Sequence, residues 1–404
     1  MAASNAAHPY PIAVRHRSRR PEPALQKPER TDGVNKRICH IAATIALSGF
    51  AHSALAASYS AIYAFGDSFS DTGNLVTALG TLPADDLLTY WPPFAIPGYA
   101  NGFNEGRPTN GRSAIEHFAN ALGLGGNLTN YSYTGALSGR GNVLPFVNTE
   151  IGATGLRDQV DVYLDSHGSA DPDALYFVWG GHNDLWGLGQ ALPPSIDDAS
   201  RGQALTDAGL AGARNIADDV STLIRHGAKN IFVANSVALE YEPFWDDFTA
   251  SDGALRSLIH GGVTAMNTEL DLLLSDLQAG FADGNIITFD TQAWYEDTIA
   301  RVLDGAGPGG LSNASDACFA YDGAQFAACQ SPGEYFFWDS IHPSDATYSQ
   351  LAQGFVGRLG ATAPVPEPLS WQLVVAGLLV LSILVRRKRG TPGAGFARHS
   401  AAAI

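Results

Sequence analysis

The sequence predicts an α/β fold, an open and mostly parallel sheet with helices on both faces. Three observations predict it. Short, nearly continuous apolar runs stand at 61–65, 174–179, 229–235 and 285–290, as strands covered on both faces require. Between them apolar residues recur at helical spacing: Leu210, Ala213, Ala217, Val220 and Ile224, then Leu255, Ile259, Val263, Met266, Leu270, Leu273 and Leu277. Neither an internal repeat nor a long linker interrupts residues 57–363, so this stretch reads as one domain. In such sheets functional groups gather beyond the carboxyl ends of the strands.

Composition bounds what the domain can do. Of 404 residues, 45% are hydrophobic and only 16% charged, which supplies a sizeable core and excludes a disordered chain. The net charge of −16 excludes nucleic acid as a partner, because that needs a basic face. The charge is unevenly spread. Eight Lys/Arg and three Asp/Glu lie in 1–56, and five Lys/Arg with Glu367 alone lie in 364–404. The body between has eleven basic and thirty-six acidic residues.

The two basic ends read as targeting segments. Lys36-Arg37 precedes an apolar stretch that closes on Ala54-Leu55-Ala56, the pattern of a secretory signal cut after Ala56. Residues 1–33 are rich in Arg and Pro and lack hydrophobic periodicity. They read as a disordered or mis-assigned extension, with Val34 as the true start and a signal peptide over 34–56. At the other end Val365-Pro366-Glu367-Pro368 leads into a largely apolar run of seventeen residues, 369–385, and then Arg386-Arg387-Lys388-Arg389. A seventeen-residue helix rises about 25 Å, short of a hydrocarbon core of about 30 Å. The basic cluster favours the cytoplasmic side, so both ends place 57–363 on the outer side of the inner membrane. Segment 364–389 resembles the PEP-CTERM sorting signal of Gram-negative bacteria. That resemblance implies secretion machinery and an exosortase-type processing enzyme as partners, with transient membrane insertion and a disordered tail over 390–404. A permanent single-pass anchor is the alternative.

With Cys39 in the leader, Cys318 and Cys329 remain in the body. Eleven residues apart in an exported domain, they are candidate disulfide partners; two free buried thiols are the alternative. No neighbouring Cys or His offers metal-ligand spacing.

The chemistry-bearing residues come in four blocks. After the first strand stands Gly66-Asp67-Ser68-Phe69-Ser70-Asp71. A serine on a sharp turn beyond a buried strand projects its hydroxyl from the sheet, but needs an adjacent base. Near the far end Trp338-Asp339-Ser340-Ile341-His342-Pro343 sets a carboxylate three residues before an imidazole, the orienter and base of a Ser–His–Asp triad. Gly135, after Asn130-Tyr131-Ser132-Tyr133-Thr134, could lend a backbone N–H to a developing oxyanion. Asn183, after Gly180-Gly181-His182, could lend a side-chain amide. Each block alone has a plainer reading: a capping turn, a polar loop pair, a turn glycine, a helix cap.

Together, and in this order, the four blocks resemble those of the SGNH hydrolases, the GDSL lipase/esterase family. Ser68 falls on the family's nucleophile, Gly135 and Asn183 on its oxyanion glycine and asparagine, and His342 on its base with Asp339 as partner. The Ser68 N–H completes the oxyanion hole. Arg107-Pro108-Thr109-Asn110-Gly111-Arg112, residues 156–164 and the Phe-Trp-Asp run at 337–339 extend the likeness to residues 60–358. It implies a three-layer α/β/α sandwich with a flavodoxin-like parallel sheet, and a serine hydrolase that cleaves carboxylic esters through an acyl-enzyme. No cofactor or metal is implied, and no HExxH or P-loop pattern is present. Thr134 departs from the family's usual glycine. His182 stands where small residues or proline are usual, and is expected to bond a neighbouring loop.

Two other functions compete on the same residues. An acyltransferase would pass the acyl group to a sugar or lipid hydroxyl. A non-catalytic surface or exopolysaccharide-associated protein would keep the fold as scaffold. The substrate, a lipid ester or an acylated sugar, is left open. Aromatic segments at 90–94 and 241–248 are expected to pack in the core or a lid; lining an acyl or sugar pocket is the alternative.

Overall fold

A computed structural model of the chain describes residues 59–82, 97–246 and 252–362. At its centre five strands run parallel: β1 (Ile62–Gly66), β2 (Leu128–Asn130), β3 (Leu175–Trp179), β4 (Asn230–Ala234) and β5 (Asn285–Phe289), in the order β2-β1-β3-β4-β5. The order doubles back beside β1, so the chain winds both ways from it. Each apolar run that predicts a strand ends within one residue of the observed one. The register sets Gly66, Trp179, Ala234 and Phe289 level across the sheet, and the residues after them share one edge.

Alternation along the strands selects the helix that covers each face. Phe177 and Phe232 point to one side, where they pack on Phe118 of α2 (Ala114–Ala121) and Phe355 of α9 (Asp345–Thr362). Tyr63, Phe65 and Tyr176 point to the other, against Tyr163 of α4 (Leu156–His167). Each of the rings of Phe118, Phe177, Phe232 and Phe355 is fully buried, and each contributes about 1.5–3 kcal/mol through the surface it removes from water. The long helices α6 (Asp198–Arg225) and α7 (Leu255–Gly280) pack on each other and carry the two expected apolar stripes. Between them and the other elements lie α1 (Asn74–Leu79), α3 (Pro145–Glu150), α5 (His182–Ala191) and α8 (Thr291–Leu303).

The region between α8 and α9 is built differently. It holds short strands and single 3-10 turns: β6 (Asn313–Ala317) pairs with β9 (Tyr335–Phe337), and β7 (Phe319–Tyr321) forms a hairpin with β8 (Phe326–Ala328). Cys318 and Cys329 are joined in a disulfide. The expected leader, sorting segment and tail, at 1–56 and 364–404, and the aromatic run at 90–94 lie outside the described residues. Among the described residues no helix is long and apolar enough to cross a membrane.

Candidate active site

Ser68 sits two residues beyond β1, on a tight turn in which the Asp67 carbonyl accepts the N–H groups of Ser70 (3.1 Å) and Asp71 (2.9 Å). The turn leaves the sheet beside β3, and only glycine fits at 66, because a Cβ there would overlap the Trp179 carbonyl oxygen. Gln159 of α4 satisfies the end of the strand from both sides: it accepts the Gly66 N–H (2.8 Å) and donates to the Gly66 carbonyl (2.7 Å). Ser68 itself is 6% exposed and opens onto a cleft.

Two further loops converge on that cleft. Gly135 follows β2 in the left-handed region (φ +81°), where a side chain would collide with the Asn142 amide. Its loop is fixed by Asp71, whose carboxylate accepts both the N–H and the hydroxyl of Thr134 at 2.8 Å, and by the Asn142 amide, which donates to the Thr134 carbonyl (2.8 Å). Thr134, where the family's glycine is expected, is thus one of the residues that fasten this loop to the Ser68 turn. Asn183 lies in the first turn of α5, just beyond β3, and its side-chain amide donates to the Ala136 carbonyl (3.0 Å). That bond uses one of two amide hydrogens. Asp184 is not a cap: its carboxylate accepts the N–H and hydroxyl of Ser138.

Asp339 and His342 come from the turn after β9. The Asp339 carboxylate accepts the N–H groups of Ile341 (2.8 Å) and His342 (2.6 Å), and lies 2.8 Å and 3.0 Å from His342 Nδ1. A carboxylate can only accept, so Nδ1 carries the proton and Nε2 is the free lone pair. The Arg107–Arg112 stretch clamps the segment that follows. The Thr109 hydroxyl donates to the Pro343 carbonyl (2.9 Å), Asn110 accepts the Asp345 N–H (2.8 Å), and the Asp345 carboxylate accepts the Arg112 N–H (2.7 Å). Arg107 anchors the stretch through a fork of two bonds to Glu116, 2.8 and 2.9 Å.

Ser68, Gly135, Asn183, Asp339 and His342 all line one cleft of about 760 Å3. The His342 ring lies 5.6 Å from that of Phe69, next to the Ser68 turn. Ser68 and His342 are not hydrogen-bonded to each other in this structure. Such bonds commonly close only when substrate is present. A smaller groove of about 330 Å3 between β4, β5 and α7 holds none of the five.

At the cleft lies a set of buried ionisable groups, of which the sequence patterns flag only His182. His182 bonds Ser236 through Nδ1 (3.1 Å), the neighbouring-loop contact expected of it. Its Nε2 and Asp67 Oδ2 have no hydrogen-bond partner and face each other at 3.7 Å. Burial, and next the nearby His342, push the His182 pKa down to about 3. Burial, reinforced by Asp184, pushes Asp67 well up. Glu242, also fully buried, is raised by burial and then by Asp339. Burial thus favours the uncharged form of each of these groups. In the segment at 241–248, Phe244 lines the cleft and Trp245 is core; Phe248 lies outside the described residues. Elsewhere among the described residues, Glu240, His260 and Glu296 bring ligand-type atoms within 4.8 Å of one another. The first two are already hydrogen-bonded at 2.6 Å, and none of the three lines the cleft.

Comparison with known proteins agrees with this arrangement. Residues 62–355 match the family described as GDSL-like lipase/acylhydrolase. A GDSL esterase/lipase of Arabidopsis thaliana is 22% identical over 75% of this chain and 89% of its own length. An acetylajmalan esterase of Rauvolfia serpentina is 23% identical over 76% and 92%. The thermolabile hemolysin of Vibrio parahaemolyticus is 26% identical over 72% of this chain and 62% of its own. With the sheet, the cleft and a match spanning nearly all described residues in place, the chain belongs to the GDSL-like lipase/acylhydrolase family and is a carboxylic ester hydrolase.

Proposed function

We propose that the chain hydrolyses esters through a covalent acyl-enzyme on Ser68, with His342 as general base and Asp339 as its orienting partner. The observation that carries this reading is the Asp339–His342 pair: the carboxylate holds Nδ1 at 2.8 Å and leaves Nε2 for the serine on the shared cleft. In the first half-reaction Nε2 takes the Ser68 proton as Oγ attacks the ester carbonyl. The imidazolium then returns that proton to the departing alcohol. In the second half, Nε2 activates a water that releases the acid and regenerates Ser68. Asp339 stabilises the imidazolium in both.

The oxyanion would be met by three donors: the N–H of Ser68, the N–H of Gly135 and the second amide hydrogen of Asn183. Neither backbone N–H takes part in another hydrogen bond among the described residues, which supports this role. Donors fixed in advance in a partly dry cleft lower the barrier without reorganising during the reaction. The leader and sorting patterns at 34–56 and 364–389 argue for export, and the Cys318–Cys329 disulfide supports that reading, since such bonds persist in oxidising compartments.

The test is labelling by a fluorophosphonate with peptide mapping, alongside turnover of p-nitrophenyl acetate. The label is expected on Ser68. An unlabelled Ser68 in a protein that still turns over the ester would refute the assignment.

A further inference from the structure

This inference rests on the esterase reading and assigns the acyl-chain side of the same cleft. The Cys318–Cys329 disulfide closes the base of the β7–β8 hairpin. Above it Phe319 pairs with Ala328, and Tyr321 with Phe326. At the tip the Asp322 side chain accepts the N–H groups of Ala324 and Gln325. Two strands of three residues are not stable alone, so what fixes this hairpin lies outside its own ladder. The disulfide is one support. Aromatic stacking is the other: Phe319 lies flat between Trp338 (5.2 Å, 13°) and Phe326 (5.4 Å, 23°), and Phe326 meets Tyr99 edge-on at 5.1 Å. The Phe326 N–H also donates to the Pro97 carbonyl (2.8 Å).

The hairpin's position matters for chemistry. Trp338 directly precedes Asp339, and its indole N–H donates to the Gly102 carbonyl (2.9 Å). Phe319, Ala320, Tyr321 and Phe326 line the cleft that holds Ser68 and His342. They give that wall rings and a methyl group, apart from the phenol of Tyr321, which is half exposed. A sugar hydroxyl would find few partners on this wall. A hydrocarbon chain would find a largely apolar one.

We propose that this disulfide-clasped hairpin is the acyl-chain wall of the site, selecting esters of extended aliphatic acids over acetyl esters. Each methylene buried on the wall is worth roughly fourfold in kcat/KM. The selectivity depends on the clasp, because an open hairpin no longer holds Phe319 and Phe326 against the cleft.

The experiment compares kcat/KM for p-nitrophenyl decanoate and acetate in the full chain, in Phe319→Ala and in Cys318→Ser/Cys329→Ser. The decanoate-to-acetate ratio is expected to fall tenfold or more in both variants. Dithiothreitol is expected to reproduce the fall in the unmodified chain and to leave the double-serine ratio where it is. Fluorophosphonate labelling of Ser68 reports folding, and Phe326→Ala replaces Phe319→Ala if the latter does not label. An unchanged ratio overturns the proposal. So do two rates that fall in step, since the hairpin would then support Asp339 and His342 rather than select chains. Absence of Ser68-dependent turnover from the unmodified chain overturns the esterase reading itself.

Discussion

Two regions of unlike construction meet at the cleft. Ser68, Gly135 and Asn183 each follow the end of a strand in one sheet, and the β1 and β3 strands behind Ser68 and Asn183 are almost wholly buried. Asp339 and His342 stand on a turn between short strands, in a region fixed by a disulfide, ring stacks and the Arg107–Arg112 clamp. In the first region position comes from the sheet, so precision is a by-product of folding the core. In the second it comes from particular side-chain contacts, each of which can be removed one at a time. The two halves should therefore fail in different ways when mutated.

The largest effects are expected at the residues proposed to carry the chemistry. Ser68→Ala is expected to lower kcat by about 10^4-fold or more, with the fold intact by circular dichroism. Asp339→Asn should cost about 10^4-fold, because an amide permits the wrong tautomer of His342. Asn183→Ala should cost about 10^2–10^3-fold in kcat with little change in KM. A KM effect alone would place Asn183 in substrate binding instead. These three keep the sheet and the clamp and remove only the chemistry.

Stability probes separate the regions further. Phe355→Ala removes a buried ring packed on Phe118, Phe177 and Phe232. It should cost about 3–5 kcal/mol in urea unfolding, whereas loss of the Thr109–Pro343 bond in Thr109→Val should cost about 1 kcal/mol and act mainly on kcat. A pH effect belongs to the first region. His182 titrates near 3 in the folded chain because it is buried, against about 6.5 unfolded. Between these values the unfolded chain binds the extra proton, so stability is full above about pH 6.5 and falls as pH drops towards 3. Unfolding at pH 7 and pH 4.5 should show that loss, and His182→Gln should reduce it. An equal loss in the variant would assign it to other groups.

Legibility in the sequence followed the same division. Buried parallel strands are written as apolar runs, and all four that were read stand within a residue of their expected ends. The residues beyond them could then be placed on one edge before any contact was known. The second region carries no such periodicity. Asp339 and His342 were visible through their spacing, and the Cys318–Cys329 pair through its separation. That Phe319 would stack on Trp338, or that Arg107–Arg112 would hold Pro343 and Asp345, depends on contacts across more than two hundred residues in the latter case. Asp67 and Glu242 were missed for another reason. Acidic residues in loops are ordinarily solvated, and only the packing above them reveals that they are buried, with their pKa values raised.

The central claim is that the strand-borne serine and the turn-borne histidine act as one unit. It is tested most directly by comparing Ser68→Ala, His342→Ala and the double variant on one ester. If the two residues share a step, the double variant loses about as much as either single one. Losses that multiply would mean the two act independently, and would contradict the shared site.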